Sequence, residues 1–128
     1  MTTAIDARID PATQSGPAVR AFKEIADRWG LSEPERLRLL GAPRSTYFKW
    51  YKEPRPRLPH DVLTRISYIL GIFKALHILL PDEAADAWLR RPNKAPLFGG
   101  DPAQKRMLSG DVVDLFRIRQ YLDTQRGR

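Results

Sequence analysis

The sequence contains no cysteine, and this absence excludes both a disulfide scaffold and every metal site built from thiolates. Histidine is nearly as scarce, since His60 and His77 are the only two. No acidic pair stands at metal-ligand spacing with either, and we expect His77 to be a hydrogen-bonded, partly buried side chain. The sequence also lacks a glycine-rich phosphate loop, a nucleophile elbow and a catalytic carboxylate pair. We therefore expect no metal, no cofactor and no catalytic activity in this chain.

Long apolar runs are also missing from the sequence. The most hydrophobic stretch, residues 66–80, is interrupted by Lys74 and His77 and is too short to cross a bilayer, which demands about 20 residues. The N-terminal residues carry Asp6 and Asp10 and lack the apolar core of a signal peptide. These features predict a cytoplasmic protein that does not bind a membrane.

What the sequence does contain is enough apolar material for one core, since 42% of its 128 residues are hydrophobic and single domains usually have about 100–150 residues. Apolar residues recur at helical spacing, and most prolines fall between these periodic segments. No segment alternates as a strand would. The sequence therefore predicts an all-α fold, a compact multi-helix protein. Helices are expected near residues 19–29, 32–40, 43–52, 60–80, 81–89, 102–108 and 111–124.

Basic residues are in excess and unevenly distributed. The net charge is +7, and residues 17–58 account for +5 of it, from ten basic and five acidic side chains. Within that segment, residues 44–57 contain five cations against the single acid Glu53. Such a concentration is typical of a surface that binds nucleic acid.

The same segment has the pattern of a helix-turn-helix. Ser32 and Glu35 form a capping-box pair that starts a short helix, and Gly41 is placed to end it. A second, basic helix is predicted to begin near Pro43. A short helix, a glycine turn and a basic helix form the arrangement that places one helix in the major groove of DNA.

Helical geometry divides the residues of the basic helix into two faces. Its aromatic residues, three and four positions apart, are expected to face the core: Tyr47, Trp50 and Tyr51. The remaining side chains are the candidate DNA contacts: Arg44, Ser45, Thr46, Phe48, Lys49, Lys52 and Arg55. Arg44 and Lys49 are suited to guanine edges, and Phe48 to a thymine methyl group. Lys52 and Arg55 are better suited to phosphates.

We divide the chain into four parts on this basis. Residues 1–16 are expected to be a flexible N-terminus, and residues 17–58 to form the helix-turn-helix part. The junction to the next part, residues 53–59, is expected to be a stiff exposed connector. Residues 59–80 form a central helix, because apolar residues surround it almost completely. Residues 81–128 form a C-terminal module.

Two parts of the sequence resemble known bacterial domains. The segment of residues 39–50, with leucine-leucine-glycine followed by arginine-serine-threonine, an aromatic pair and tryptophan, resembles the helix-turn-helix of Xre-type regulators. Further on, Trp88-Leu89, Pro92-Asn93, Gly99-Gly100 and a terminal helix follow one another. This succession is similar to the toxin-binding domain of the MbcA/ParS/Xre antitoxin family. Together the two resemblances cover roughly residues 17–124.

The resemblance implies a small antitoxin that represses its own operon. It also implies that the antitoxin binds and blocks a RES-domain toxin, which is an enzyme that acts on NAD. The expected partners are this toxin, operator DNA and a second copy of the chain, because a single helix-turn-helix reads only a half-site. The chemistry would belong to the toxin. A second interpretation stays open: a stand-alone transcriptional regulator whose C-terminal helices dimerise or sense a small ligand.

The toxin-facing surface is expected on the C-terminal module, where the late arginines form a short mobile tail that suits the carboxylates of an enzyme. The candidate contacts are Trp88, Asn93, Arg119, Tyr121, Gln125, Arg126 and Arg128. Two of them have alternative roles, because Trp88 also fits a place in the core and Asn93 also fits a cap on its own loop.

Overall fold

The computed structural model describes residues 11–127 of the chain. Within these residues the fold consists of α-helices and one short 3-10 helix, Trp88–Arg90, with no strand, so the predicted all-α class is confirmed. The helices are α1 (Pro11–Arg28), α2 (Glu33–Leu40), α3 (Arg44–Lys52), α4 (His60–Leu79), α5 (Asp82–Ala87), α6 (Ala103–Met107) and α7 (Val112–Arg126).

Helix α4 occupies the centre of the fold and packs against α1, α2, α5 and α7. The ring of Tyr68 lies 5.7 Å from that of Phe116, and Gly71, three residues further along α4, lies against Arg119, three residues further along α7. The two helices therefore run parallel. Eight residues of α4 are buried, as expected for a helix that is apolar nearly all round: Val62, Leu63, Ile66, Ser67, Ile69, Ile72, Ala75 and Leu76.

Helix α4 has 20 residues, His60–Leu79, close to the predicted bounds of residues 60–80 and longer than the apolar stretch of residues 66–80 alone. By length and composition alone it would suffice to cross a membrane. The expectation that this segment is too short for a bilayer is therefore wrong. Its buried residues belong to the same core cluster as residues of α1 and α7, so it is the core helix that the sequence predicted.

The N-terminal boundary differs from the prediction. Helix α1 begins at Pro11 and includes Pro17, so the flexible segment expected over residues 1–16 is too long, and its residues 1–10 lie outside the described part. The hydroxyl of Ser15, which is fully buried, accepts a hydrogen bond of 2.9 Å from the backbone N–H of Leu58. This contact ties the connector to α1. Pro56 and Leu58 are buried, so the connector is not exposed throughout.

Two differences occur in the C-terminal module. The helix expected over residues 81–89 ends at Ala87 and tightens into the 3-10 helix. The last helix continues to Arg126, so this arginine belongs to a helix and not to a mobile tail. It lies 3.8 Å from a carboxylate oxygen of Asp123.

A chain of hydrogen bonds joins the helix-turn-helix part to the C-terminal module. The side-chain amide of Gln104 on α6 donates to Glu35 at the start of α2 over 2.7 Å. The Gln104 carbonyl oxygen accepts from Arg90 over 2.9 Å. Arg90 in turn donates to the backbone carbonyls of Trp29 and Gly30 at the end of α1.

A second connection lies at the other end of α6. Arg38 on α2 donates to the backbone carbonyls of Leu108 and Ser109, which follow α6 directly. Helix α6 is therefore held to α2 near both of its ends, and the two parts of the chain form one packed body.

Candidate functional site

The helix-turn-helix has the local geometry that the sequence predicts. The Ser32 hydroxyl accepts from the backbone N–H of Glu35, and the Glu35 carboxylate accepts from the backbone N–H of Ser32, which completes the capping box. Gly41 ends α2 with a φ of 65°, a left-handed conformation that glycine adopts without steric cost. Arg65 on α4 donates to the carbonyl of Leu39 over 3.3 Å, which braces the turn from behind.

The inner face of α3 is packed with aromatic residues. Tyr47 and Trp50 are buried as predicted, and the Tyr47 ring meets Phe22 edge to face at 6.5 Å. Tyr51 is partly buried, and its hydroxyl donates to the carbonyl of Val19 over 3.1 Å. Burial raises the pKa of this phenol above its ordinary value, so it remains a neutral donor. These contacts fix α3 on α1.

The outer face of α3 carries the predicted DNA contacts. The side chains of Arg44 and Lys49 are 71% and 70% exposed, and Ser45, Lys52 and, in the connector, Arg55 are exposed as well. Thr46 and Phe48 are half-buried. The structure brings five of these residues together around one open depression: Arg44, Ser45, Phe48, Lys49 and Lys52. Thr46 and Arg55 are not part of its lining.

Two ion pairs that the sequence analysis did not predict neutralise part of this face. Arg44 pairs with Glu33 of α2 and stacks on the ring of Phe48 at 5.1 Å. Lys49 lies 3.8 Å from Glu53. The second pair is detectable from its four-residue spacing, whereas the first joins two helices. Both pairs are exposed and therefore weak, so a phosphate or a base edge can replace the carboxylate.

The remaining cations of the segment have no such partner. In the part of the chain that the structure describes, Lys52, Arg55 and Arg57 form no ion pair and are exposed. They continue the basic surface from the end of α3 into the connector. Unpaired, exposed cations at the edge of such a helix are suited to backbone phosphates.

In the C-terminal module, three aromatic rings form one cluster. Phe98 lies between Trp88 and Tyr121, with ring-centre distances of 5.7 and 5.6 Å and nearly perpendicular planes. The structure therefore brings Trp88 and Tyr121, two of the predicted toxin contacts, to the same side of α7. Both remain partly exposed, so each is accessible as well as packed.

Asn93 organises the loop in which it lies. Its side-chain oxygen accepts from the backbone N–H of Ala95 over 2.9 Å, its own N–H donates to Asp101, and its carbonyl accepts from Gly100. These hydrogen bonds agree with the alternative role of Asn93, which is to cap its own loop. A toxin contact by Asn93 stays a prediction.

The other predicted contacts lie on α7. Arg119 lies across Gly71, where an added Cβ would come within 2.4 Å of its Nε, and 3.5 Å from Asp123. Arg119 and Arg126 are seven residues apart and share one face of the helix, whereas Tyr121 and Gln125 share another. Gln125 is exposed, and Arg128 lies outside the described residues.

His77 has the role expected of it. Its ring nitrogens lie 3.0 Å from Asp82 and 2.9 Å from Asp86, and the hydrogen bond with His77 lowers the pKa of Asp82. The ring thereby joins the end of α4 to α5. Over residues 11–127 no group of three or more histidine, aspartate or glutamate residues is arranged to hold a metal ion.

Comparison with known proteins gives one family match in each half of the chain. Residues 8–71 match the antitoxin Xre-like helix-turn-helix domain, and residues 75–128 match the antitoxin Xre/MbcA/ParS C-terminal toxin-binding domain. The uncharacterized protein y4oB of Sinorhizobium fredii (strain NBRC 101917 / NGR234) is 53% identical over 111 residues, which cover 85% of this chain and 84% of that protein. The chain belongs to the Xre/MbcA/ParS antitoxin family, and a toxin is its partner.

Proposed function

We propose that this antitoxin binds and blocks a RES-domain toxin that consumes NAD, and that it represses its own operon through α3. The DNA-binding part of this proposal rests on the exposed cations on the outer face of α3, a helix that aromatic packing holds in place. The toxin-binding half rests on the match of residues 75–128 to a toxin-binding domain.

In this proposal α3 enters the major groove and α2 lies behind it. Arg44 and Lys49 donate to guanine edges after leaving Glu33 and Glu53, and Ser45 and Thr46 donate to a base or a phosphate. Lys52 and Arg55 neutralise phosphates, which supplies affinity without sequence preference. Two copies of the chain bind an inverted repeat, each reading one half-site.

The C-terminal module supplies no catalysis in this proposal and acts by covering the toxin. Trp88 and Tyr121 offer aromatic surface, and Arg126 and Arg128 at the end of the chain offer cations for carboxylates around the active site of the toxin. Both activities are placed in the cytoplasm, where the operon and NAD are found.

Co-expression with the toxin tests this function. The gene adjacent to this one, which the proposal identifies as a RES-domain toxin, is induced in a bacterial host with and without the antitoxin, and growth and cellular NAD are measured. We expect toxin alone to deplete NAD and stop growth, and the antitoxin to restore both and to co-purify with the toxin. An antitoxin that leaves NAD depleted and fails to co-purify would contradict the proposal and favour the stand-alone regulator.

A further inference from the structure

Four large apolar side chains stand out on the surface of the described part of the chain: Ile78, Leu79, Val113 and Phe116. All four fall within residues 75–128, the segment that matches the toxin-binding domain. Ile78 and Leu79 are 54% and 37% exposed, and Val113 and Phe116 are 46% and 42% exposed. A protein–protein interface usually has an apolar centre surrounded by a polar rim, so these residues are the candidates for such a centre.

The two pairs lie at opposite ends of the α4–α7 packing. Helices α4 and α7 are parallel, with Tyr68 beside Phe116 and Gly71 beside Arg119. Phe116 and Arg126 are about 15 Å apart along α7, because each residue advances a helix by about 1.5 Å. Val113 and Phe116 are at the beginning of α7, and Ile78 and Leu79 are at the end of α4.

The same register places Ile78 and Leu79 beside the last turn of α7. Leu79 is eight residues beyond Gly71, and Arg126 is seven residues beyond Arg119, so both stand about 10–12 Å further along the helix axes. Leu79 also lies on the stripe of α4 that contains Tyr68 and Ala75 and faces α7. The apolar pair thus adjoins the C-terminal end of α7.

The pair is surrounded by charges of both signs. Lys74 is exposed one turn before Ile78 on α4, and Arg126 is exposed at the end of α7. Asp82 and Glu83, just beyond Leu79, are exposed as well, and Arg126 lies 3.8 Å from Asp123. The match of residues 75–128 to a toxin-binding domain identifies the toxin as the occupant, and an interface with an apolar patch and polar groups of both signs at its edge has the complementary chemistry.

We infer that Ile78 and Leu79 form the apolar centre of the toxin interface, with Lys74 and Arg126 at its rim. This inference rests on the proposed function, since it assigns a position on this chain to the toxin. We assign the interface to this pair and not to Val113 and Phe116 because it adjoins the last turn of α7 and contains the most exposed of the four side chains, Ile78. Sequence reasoning missed Ile78 and Leu79 because a helix that is apolar all round gives no sign of which end is left uncovered.

The test compares two double substitutions in the full-length chain. Ile78→Gln with Leu79→Gln removes the proposed centre, and Val113→Gln with Phe116→Gln is the matched control, which changes two exposed apolar residues of the same domain to the same neutral side chain. Affinity for the purified RES-domain toxin is measured by calorimetry. Circular dichroism and operator retardation verify that both variants are folded.

We expect the Ile78/Leu79 variant to bind the toxin at least about tenfold more weakly than the wild type, and the control to stay within about threefold. If the Ile78/Leu79 variant binds the toxin as tightly as the wild type, or if the control loses as much affinity as that variant, the inference is overturned and the proposed function is left intact. A wild-type chain that does not bind the toxin would overturn both. If sedimentation shows that the Ile78/Leu79 variant loses self-association and keeps toxin binding, the pair belongs to a homodimer interface and the inference is wrong.

Discussion

Tyr51 shows how a single hydroxyl links the recognition helix to the rest of the fold. It is the residue of α3 whose side chain reaches back to the backbone of α1, at the carbonyl of Val19. Its ring also lies 5.0 Å from that of Tyr47, so the phenol is held on two sides. Because burial raises its pKa, this contact also depends on pH in a defined direction.

Tyr51→Phe should lower the free energy of unfolding by about 1 kcal/mol at neutral pH, since it leaves the Val19 carbonyl without this donor. Above about pH 10 the unfolded chain releases the phenol proton while the folded chain keeps it. The contribution of Tyr51 is therefore present below that pH and is lost as the pH rises. Urea denaturation at pH 8 and at about pH 11 should show the difference between wild type and variant shrinking.

Tyr68→Phe is the control for this measurement, because it retains Tyr51 and should therefore keep the pH dependence of the wild type. A difference between wild type and Tyr51→Phe that stays constant or widens at high pH would show that the phenol is not protected by burial.

Residue roles that depend on neighbouring positions in the sequence were predictable, and those that depend on another helix were not. The capping box of Ser32 and Glu35 and the left-handed Gly41 are local, and the structure contains them as predicted. The pairing of Arg44 with Glu33 depends on the angle at which α3 meets α2. That angle cannot be predicted from the spacing of residues along one helix.

At the scale of elements, α6 is notable for how it is held. It has only five residues, too few to be stable alone. Buried Ala103 and Met107 anchor it on one side, and Arg38 holds the backbone that follows it. A helix of the toxin-binding part therefore depends on a side chain of the helix-turn-helix.

Arg38→Ala should loosen α6 without unfolding the protein, because it removes two hydrogen bonds to the carbonyls of Leu108 and Ser109. We expect a loss of about 1–2 kcal/mol of local stability. Hydrogen exchange followed by mass spectrometry should show faster exchange over residues 103–111 and unchanged exchange in α1.

Arg55→Ala is the matched control, since it removes an exposed arginine that has no ion pair within the described residues. It should leave the exchange pattern of the wild type. Slow exchange over residues 103–111 in the Arg38 variant would mean that apolar packing and the hydrogen bonds of Gln104 hold α6 without Arg38.

The order and approximate bounds of the helices followed from the sequence, because caps, prolines and apolar periodicity are local signals. The beginning of α1 did not follow from the sequence. Proline usually marks a helix boundary, yet α1 begins at Pro11 and includes Pro17. The hydrogen bond between Ser15 and Leu58 spans 43 residues of sequence, and tertiary contacts of this kind override a local helix breaker.

At the scale of the whole molecule, the two proposed binding surfaces lie on different elements. The DNA-binding face is on α3, and the residues proposed for the toxin lie on α4, the 3-10 helix, its following loop and α7. The exposed cations of the proposed DNA-binding face could be predicted from the sequence because they are contiguous. The residues proposed for the toxin could be predicted less completely, since they come together only when α7 packs beside α4.

Arg44→Ala combined with Lys49→Ala should therefore abolish retardation of operator DNA and leave toxin neutralisation intact. For the wild type, the logarithm of the binding constant should fall linearly with the logarithm of salt concentration, with a slope of about −0.9 for each phosphate neutralised. Retardation assays over a salt series and growth rescue on co-expression measure the two activities.

A charge-matched control separates specific contacts from the overall charge. Lys94→Ala combined with Arg117→Ala removes the same two positive charges from exposed positions outside the helix-turn-helix, and should retain operator binding. If the Arg44/Lys49 variant lost both activities, the division between the two surfaces would be wrong.

Helix α4 carries the junction between the two family domains, since the first match ends at residue 71 and the second begins at residue 75. The boundary between two named domains therefore falls inside one continuous helix, next to the buried Ile72 and Ala75. Recombination that joined a helix-turn-helix of one lineage to a toxin-binding domain of another would have to keep the rotation of this helix. One inserted residue would turn everything after it by about 100°. An exchange that ignored this rotation would turn the proposed toxin-binding surface relative to α3.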